Sequence, residues 1–323
     1  MAEHEVATRA PESDAQDGLV AGDTPAQEGA SMGEHCVTDR PTPATGAPTG
    51  EISKIADVDV YITKPSDYPH LPSKLLLFLS NATGIHSKNN QLQADKYASE
   101  GFVVVMPDQF AGDPLQKNVT DPNTTPDSNP SMIEKVKMGL ADTAKSFMID
   151  MWLARQSQEK VIPLLHKVIE GAKDEFADAV ANGDGVYAVG YCFGGRYVLL
   201  LGSELPDTVA KGQALRDEEK GVVKCAPQIK AGAIAHGTLI TKEDIEGLKV
   251  PITMACTEND QLFPDDVRAE GQKYLVDSGM EHEIQVFPGV PHGFAVVGEY
   301  DDAKIMEAQR AAFEQMLSWL KSH

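Results

Sequence analysis

The chain has 323 residues, 41% hydrophobic and 24% charged, which suits one large α/β domain able to bury its own core. A formal net charge of −21 argues against nucleic acid as a partner, because phosphates would be repelled. Cys36, Cys192, Cys225 and Cys256 are far apart and form no C-x-x-C pair, so neither a disulfide framework nor a zinc site is expected.

The first residues show neither a basic stretch nor an apolar run, so no leader peptide is expected, and no run approaches the roughly 18 apolar residues of a membrane span. A cytosolic location without membrane attachment is expected, with Cys192 kept as a thiol. Residues 1–33 are rich in Ala, Glu, Asp, Gly and Pro and read as a disordered acidic tail, ahead of a domain over 34–323. PTPATGAPTGE at 41–51 reads as an extended lead-in rather than a strand. DVDVYI (57–62) alternates and suits an edge strand, whereas KLLLFLS (74–80) is the continuous apolar run of a buried parallel strand. Residues 87–100 form an amphipathic helix opened by Ser87 and stopped by Gly101. FVVVMP (102–107) is another buried strand, and 111–131 is a long polar loop, either a lid over a site or a solvated excursion.

Helical patterns over 132–155 and 158–171 lead to the strand GVYAVG (185–190). AGAIAH (231–236), PITMAC (251–256) and HEIQVF (282–287) follow as strands, with helices over 265–279 and 302–322. The alternation predicts an α/β fold with a mainly parallel central sheet and helices on both faces. Ligands in such sheets bind outside the carboxyl ends of the strands, and each candidate site residue lies at or just past one of those ends.

Gly190-Tyr191-Cys192-Phe193-Gly194-Gly195 matches G-x-S-x-G with Cys in place of Ser. With VYAV before it and RYVLLL after, it reads as a nucleophile elbow, a strained strand-to-helix turn that presents its central side chain. Cys225 and Cys256 read as inert core thiols. A thiol nucleophile needs a base, and the base an orienting carboxylate. His292, in PGVPHGF, is the favoured base; Asp260, just past PITMAC, is the favoured acid, with Glu258 as its rival. The order Cys192, Asp260, His292 is the nucleophile–acid–histidine order of α/β-hydrolases. The oxyanion hole is expected from the backbone N–H of Phe193 and one from Asn81-Ala82-Thr83, taken as Ala82. His236 ends its strand at the same edge and either lines the pocket or is a hydrogen-bonded strand-end histidine, the plainer role being favoured. His86 is weighed in the same way.

GYCFGG, TENDQLFP, PGVPHGFA and ADKYASEGFVVVMPD together resemble the dienelactone hydrolase family, specifically its fungal branch, from about residue 35 onward. The resemblance implies an α/β-hydrolase fold, a Cys-Asp-His triad at Cys192, Asp260 and His292, no cofactor or metal, and a small-molecule ester or lactone as substrate. Two departures stand out. Bacterial members carry a glutamate in an E-I-F-G turn where this chain has Asn81-Ala82-Thr83-Gly84. Members also often place an arginine near the catalytic histidine, where this chain has Val296 and Val297. Arg196 is then the nearest basic residue in sequence and, with Asn81 and His236, a candidate pocket residue, although its helix should carry it away. The leading expectation is a cysteine-dependent ester or lactone hydrolase working through an acyl-enzyme. The alternatives are an isomerase or cyclase using the same pocket, a non-catalytic binding protein, and a redox sensor at Cys192.

Overall fold

The computed structural model describes residues 46–115, 149, 151–206 and 224–323. The expected acidic tail, the domain start at residue 34, Cys36, and most of the 111–131 loop and 132–155 helical segment lie outside the described residues. Strands β1 (Glu51–Ile55), β2 (Val58–Thr63), β3 (Lys74–Leu79), β4 (Phe102–Pro107), β5 (Val186–Tyr191), β6 (Leu205–Pro206), β7 (Lys224–Cys225), β8 (Ala231–Ala235), β9 (Ile252–Thr257) and β10 (His282–Phe287) follow one another along the chain. Eight of them form one sheet in the order β1-β2-β4-β3-β5-β8-β9-β10, and β6 and β7 pair separately. From β4 to β10 every pairing is parallel, while β1–β2 and β2–β4 are antiparallel. An α/β fold with a mainly parallel sheet is therefore present.

The edge strand is not the expected one. DVDVYI becomes β2, one place inside the sheet, and the edge is β1, which begins within the supposed lead-in. β1 escapes a sequence reading because four of its five residues are exposed, so no apolar alternation marks it. Its hairpin turns through Ala56 and Asp57, at φ 49° and 66°, a left-handed pair without the usual Asn-Gly signal. Tyr61 and Asp95 tie its start down: Gly50 N–H donates to Tyr61 Oη (2.8 Å), Tyr61 O–H to Asp95 Oδ1 (2.7 Å) and Thr49 N–H to Asp95 Oδ2 (2.7 Å).

Among the described residues, helices α1 (Lys88–Ser99), α2 (Gln158–Glu175), α3 (Ala177–Gly183), α4 (Phe193–Leu201), α5 (Lys242–Glu246), α6 (Asp265–Asp277) and α7 (Ala303–Ser322) carry the crossovers and flanks. Ser87 caps α1 through its side chain, accepting from Asn90 N–H, and Gly101 takes φ 102° beyond its end. Because side chains alternate across a strand, β3 sends Leu76 and Phe78 to one face, where Tyr97 of α1 and Phe313 and Met316 of α7 join them. On β5, Tyr191 belongs to that face, and Gly190 faces Val198 of α4 on the other. The helices thus cover both faces, and the core continues through the sheet. The parallel strands β3, β5, β8, β9 and β10 all deliver their carboxyl ends to one edge.

Candidate active site

Cys192 stands between β5 and α4 at φ 53°, ψ −117°. A side-chain-bearing residue in that region is strained by about 1–3 kcal/mol, so its surroundings must hold it there. They do so through the backbone: Cys192 N–H donates to Ala235 O (3.1 Å), and Cys192 O accepts from Gly195 N–H (3.0 Å) and Thr238 N–H (3.1 Å). The glycines answer to close approach. A Cβ at Gly190 would lie 2.6 Å from the Gly194 carbonyl oxygen, and one at Gly194 would run into the carbonyl of Leu79 on β3. The predicted elbow is therefore a strand–turn–helix with its cysteine at the apex.

His292 lies past β10, between Pro291 and Gly293, and Asp260 lies past β9. The His292 Nδ1 is 2.7 Å from Asp260 Oδ2, while Asp260 Oδ1 accepts from Leu262 N–H at 2.9 Å. Both carboxylate oxygens are thus held inside a buried turn, and the imidazole is oriented by one of them. Glu258 is exposed. Asn259, at φ 56°, turns the chain between the two acids, and of these only Asp260 meets the histidine.

The other imidazole nitrogen leads to a residue that sequence reasoning passes over. His292 Nε2 is 3.2 Å from Thr238 Oγ1, which is itself 3.2 Å from Cys192 Sγ. Thr238 is wholly buried, two residues past the predicted histidine at the end of β8. Its only signal in sequence is that position at a strand's carboxyl end. Burial pushes the His292 imidazole down, but the Cys192 charge, hydrogen bonds to Asp260 and to the Cys192 sulfur, and the Asp260 charge outweigh it, leaving the group at about 9.

His236 is also buried, at φ 37°, with its ring 5.0 Å from that of His292 and edge-on to it. Its ring is not held by a nitrogen or oxygen partner but lies against Cys192 and the neighbouring rings. Its backbone N–H donates to Ala255 O (2.8 Å), and Tyr191 and Phe294 pack around the ring. Burial lowers its basicity and the charge of His292 adds to that, against the opposing pull of the Cys192 sulfur and the Asp260 charge. It is a neutral wall of the site. His86, by contrast, is exposed.

Arg196 points away from a substrate role, in an ion pair with buried Asp244 at 2.9 Å. Asp244 also closes a capping box with Thr241 at the start of α5. Asn81 is buried beside the elbow: β3 pairs with β5 so that Leu79 is opposite Gly190, which brings Asn81 level with Cys192. Its Oδ1 accepts from Thr83 N–H (3.1 Å), Thr83 O–H (2.6 Å) and Asn90 Nδ2 (2.9 Å), so its amide is locked. Cys256 is a core thiol pushed up to about 12 by burial, whereas Cys225 sits half-buried on a two-residue strand and is not part of the core.

A wall of aromatic rings also goes unmarked in the sequence. Phe193 contacts Phe110 (5.6 Å between ring centroids), Trp152 (5.2 Å) and Tyr197 (5.3 Å), and Phe110 contacts Trp152 at 5.1 Å. Trp152 comes from a distant segment, anchored by its indole N–H on Asp113 O at 2.7 Å. Among the described residues no cluster of His, Cys, Asp and Glu could hold a metal ion, and no helix is long and apolar enough to cross a membrane.

Known proteins share this arrangement of sequence and fold. The hydrolase pyvD of Aspergillus violaceofuscus is 26% identical over 278 residues, covering 86% of this chain and 92% of that protein. Dienlactone hydrolase 1 of Gibberella moniliformis is 28% identical over 276 residues, covering 85% and 88%. Among solved structures, esterase 2 of Thermogutta terrifontis superimposes with a TM-score of 0.56 at 16% identity, covering 84% of this chain and 96% of that one, a likeness of fold. The dienelactone hydrolase family matches residues 58–213 and 221–323, nearly all of the described sheet and helices, and the chain belongs to that family of α/β hydrolases.

Proposed function

We propose that this hydrolase cleaves a small-molecule ester or lactone through an acyl-enzyme on Cys192, with His292 as acid and base and Asp260 as its orienting carboxylate. The observation that carries the reading is the continuous line Asp260–His292–Thr238–Cys192, with spacings of 2.7, 3.2 and 3.2 Å, ending on the elbow. The Cys192 thiolate attacks the carbonyl carbon, and its negative charge passes to the carbonyl oxygen. The N–H groups of Phe193 and Ala82 would receive that charge. Phe193 occupies the first position of α4, where N–H groups have no intrahelical acceptor. The Asn81 carbonyl accepts from Gly84 N–H (3.2 Å), so the Ala82 N–H, on the opposite edge of the same trans peptide, points out of that turn. Collapse of the intermediate releases the alcohol or enol, which takes its proton from His292. Water then attacks the thioester, giving its proton to His292, and the acid product leaves. In a lactone the leaving oxygen stays tethered, and one hydroxy acid results.

The test is intact-protein mass spectrometry during turnover of p-nitrophenyl acetate by wild type and Cys192→Ala. Wild type is expected to show a transient acetyl adduct and to release p-nitrophenol, and the variant to fold normally and do neither. Turnover by Cys192→Ala at the wild-type rate would overturn the assignment of the nucleophile. A folded wild type that binds esters but neither acylates nor turns over would favour a binding protein instead.

A further inference from the structure

We propose that Thr238 is a positioning residue and proton relay of this site, its hydroxyl holding the Cys192 thiol and passing the thiol proton to His292. The proposal rests on the Cys192 reading above and adds a fourth side chain to it. Three observations carry it. The Thr238 Oγ1 lies 3.2 Å from Cys192 Sγ and 3.2 Å from His292 Nε2, so one hydroxyl touches both groups between which a proton must move. Thr238 is wholly buried, and its N–H donates to Cys192 O at 3.1 Å, so the hydroxyl is clamped to the elbow it serves. Asp260 takes the Nδ1 side of His292, leaving Nε2 to face the hydroxyl.

In the uncharged form of the pair the thiol S–H donates to Oγ1 and the Thr238 O–H donates to Nε2. The S–H bond then breaks, its electron pair stays on sulfur, and the proton binds Oγ1. The original hydroxyl proton leaves Oγ1 for the Nε2 lone pair. The products are a thiolate, an intact threonine hydroxyl and an imidazolium, with no atom or electron gained or lost. After transfer the hydroxyl has reversed, donating to the thiolate and accepting from Nε2–H. A hydroxyl has both functions and can make this exchange; a methyl of the same size cannot.

The other groups near the sulfur are set differently from Thr238. On the β3 side Asn81 has its carbonyl oxygen occupied by three donors and is a neutral amide, so it is no proton acceptor for the thiol. His236 lies beside the same sulfur, but burial lowers its basicity whereas that of His292 is raised, so the proton settles on His292.

The test compares wild type, Thr238→Val and Thr238→Ser by the rate of Cys192 alkylation with iodoacetamide against pH, read on the Cys192 peptide by mass spectrometry. A hydrogen bond to a charged group is lost in Thr238→Val, so the pH midpoint of alkylation is expected to rise by about one to two units. Acylation by p-nitrophenyl acetate near neutral pH is expected to slow about 10- to 100-fold in the same variant. Thr238→Ser keeps the hydroxyl and should restore both to within about threefold of wild type. Should Thr238→Val fail to fold, Thr238→Ala removes the hydroxyl without adding bulk and carries the same expectation. A midpoint unchanged in the folded hydroxyl-free variant, or one displaced equally by serine, overturns the relay. If Cys192→Ala abolishes turnover while the midpoint stays put, the relay fails and the nucleophile assignment stands; full activity in Cys192→Ala removes both.

Discussion

Replacing Asp260 with asparagine separates the electrostatic part of the site from its shape. The carboxamide oxygen introduced by Asp260→Asn can still accept from Leu262 N–H, the bond Asp260 Oδ1 makes at 2.9 Å, so the turn should persist. What changes is the 2.7 Å contact to His292 Nδ1, where a charged acceptor becomes the amide NH2, a donor that cannot accept the Nδ1–H. His292 stands at about 9 against an ordinary 6.5, an interval worth roughly 3 kcal/mol of preference for the imidazolium at ~1.4 kcal/mol per pH unit. Burial opposes that preference, and Cys192 and Asp260 together supply it. Losing the Asp260 share and a hydrogen bond to a charged group, about 1.5–3 kcal/mol, should lower kcat/KM by about 10- to 100-fold or somewhat more. The pH dependence has a definite sign. A raised histidine keeps its proton through neutral pH, so the acid that protonates the leaving group is present below about 9 and lost as pH rises through it. In Asp260→Asn that alkaline limb should move down by about one to two pH units. The assay is phenol release from phenyl acetate, whose leaving group takes a proton, with Glu258→Gln as comparator and expected to behave as wild type. An Asp260→Asn profile superimposable on wild type, or a Glu258→Gln profile displaced instead, would refute the reasoning.

Two further variants test the frame around the site. Gly194→Ala puts a methyl against the Leu79 carbonyl, a backbone atom of the neighbouring strand that cannot step aside. It should cost about 2–4 kcal/mol and lower the melting temperature by several degrees, and an unchanged melt would show the elbow packs less tightly than described. Arg196→Met removes the partner of Asp244, which stays bonded to Thr241 N–H at 2.9 Å. A stability loss of about 1–2 kcal/mol is expected, with KM equal to wild type for both neutral and carboxylate-bearing esters. A KM raised only for the carboxylate-bearing ester would show that Arg196 reads substrate charge.

The parallel part of the sheet is legible in the sequence because buried strands leave continuous apolar runs, as in KLLLFLS and FVVVMP. The elbow is legible because close packing against β3 permits no side chain at Gly194, which forces a glycine the eye can find. β1 is not legible, since a solvated edge strand needs no alternation and its hairpin turn uses Ala56 and Asp57. The choice between Glu258 and Asp260 turns on one backbone dihedral at Asn259, which a residue order does not display. Thr238 and the rings of Phe110 and Trp152 are invisible for another reason: each reaches the site from a separate segment, and only the folded sheet edge brings them to Cys192 and Phe193.

The departure at Asn81 takes on a physical meaning once these neighbours are in place. A carboxylate in that turn could accept the thiol proton or repel a thiolate, so ionisation of the cysteine would be governed from the β3 side. An amide whose oxygen already takes three hydrogen bonds does neither; it can only keep its shape. The groups able to exchange a proton with Cys192 then lie on the opposite side, where β8 brings Thr238 and the turn after β10 brings His292. If Cys192 is the nucleophile as proposed, its control would depend on the β8 and β10 ends, and the β3 turn would be left to shape the oxyanion side of the pocket.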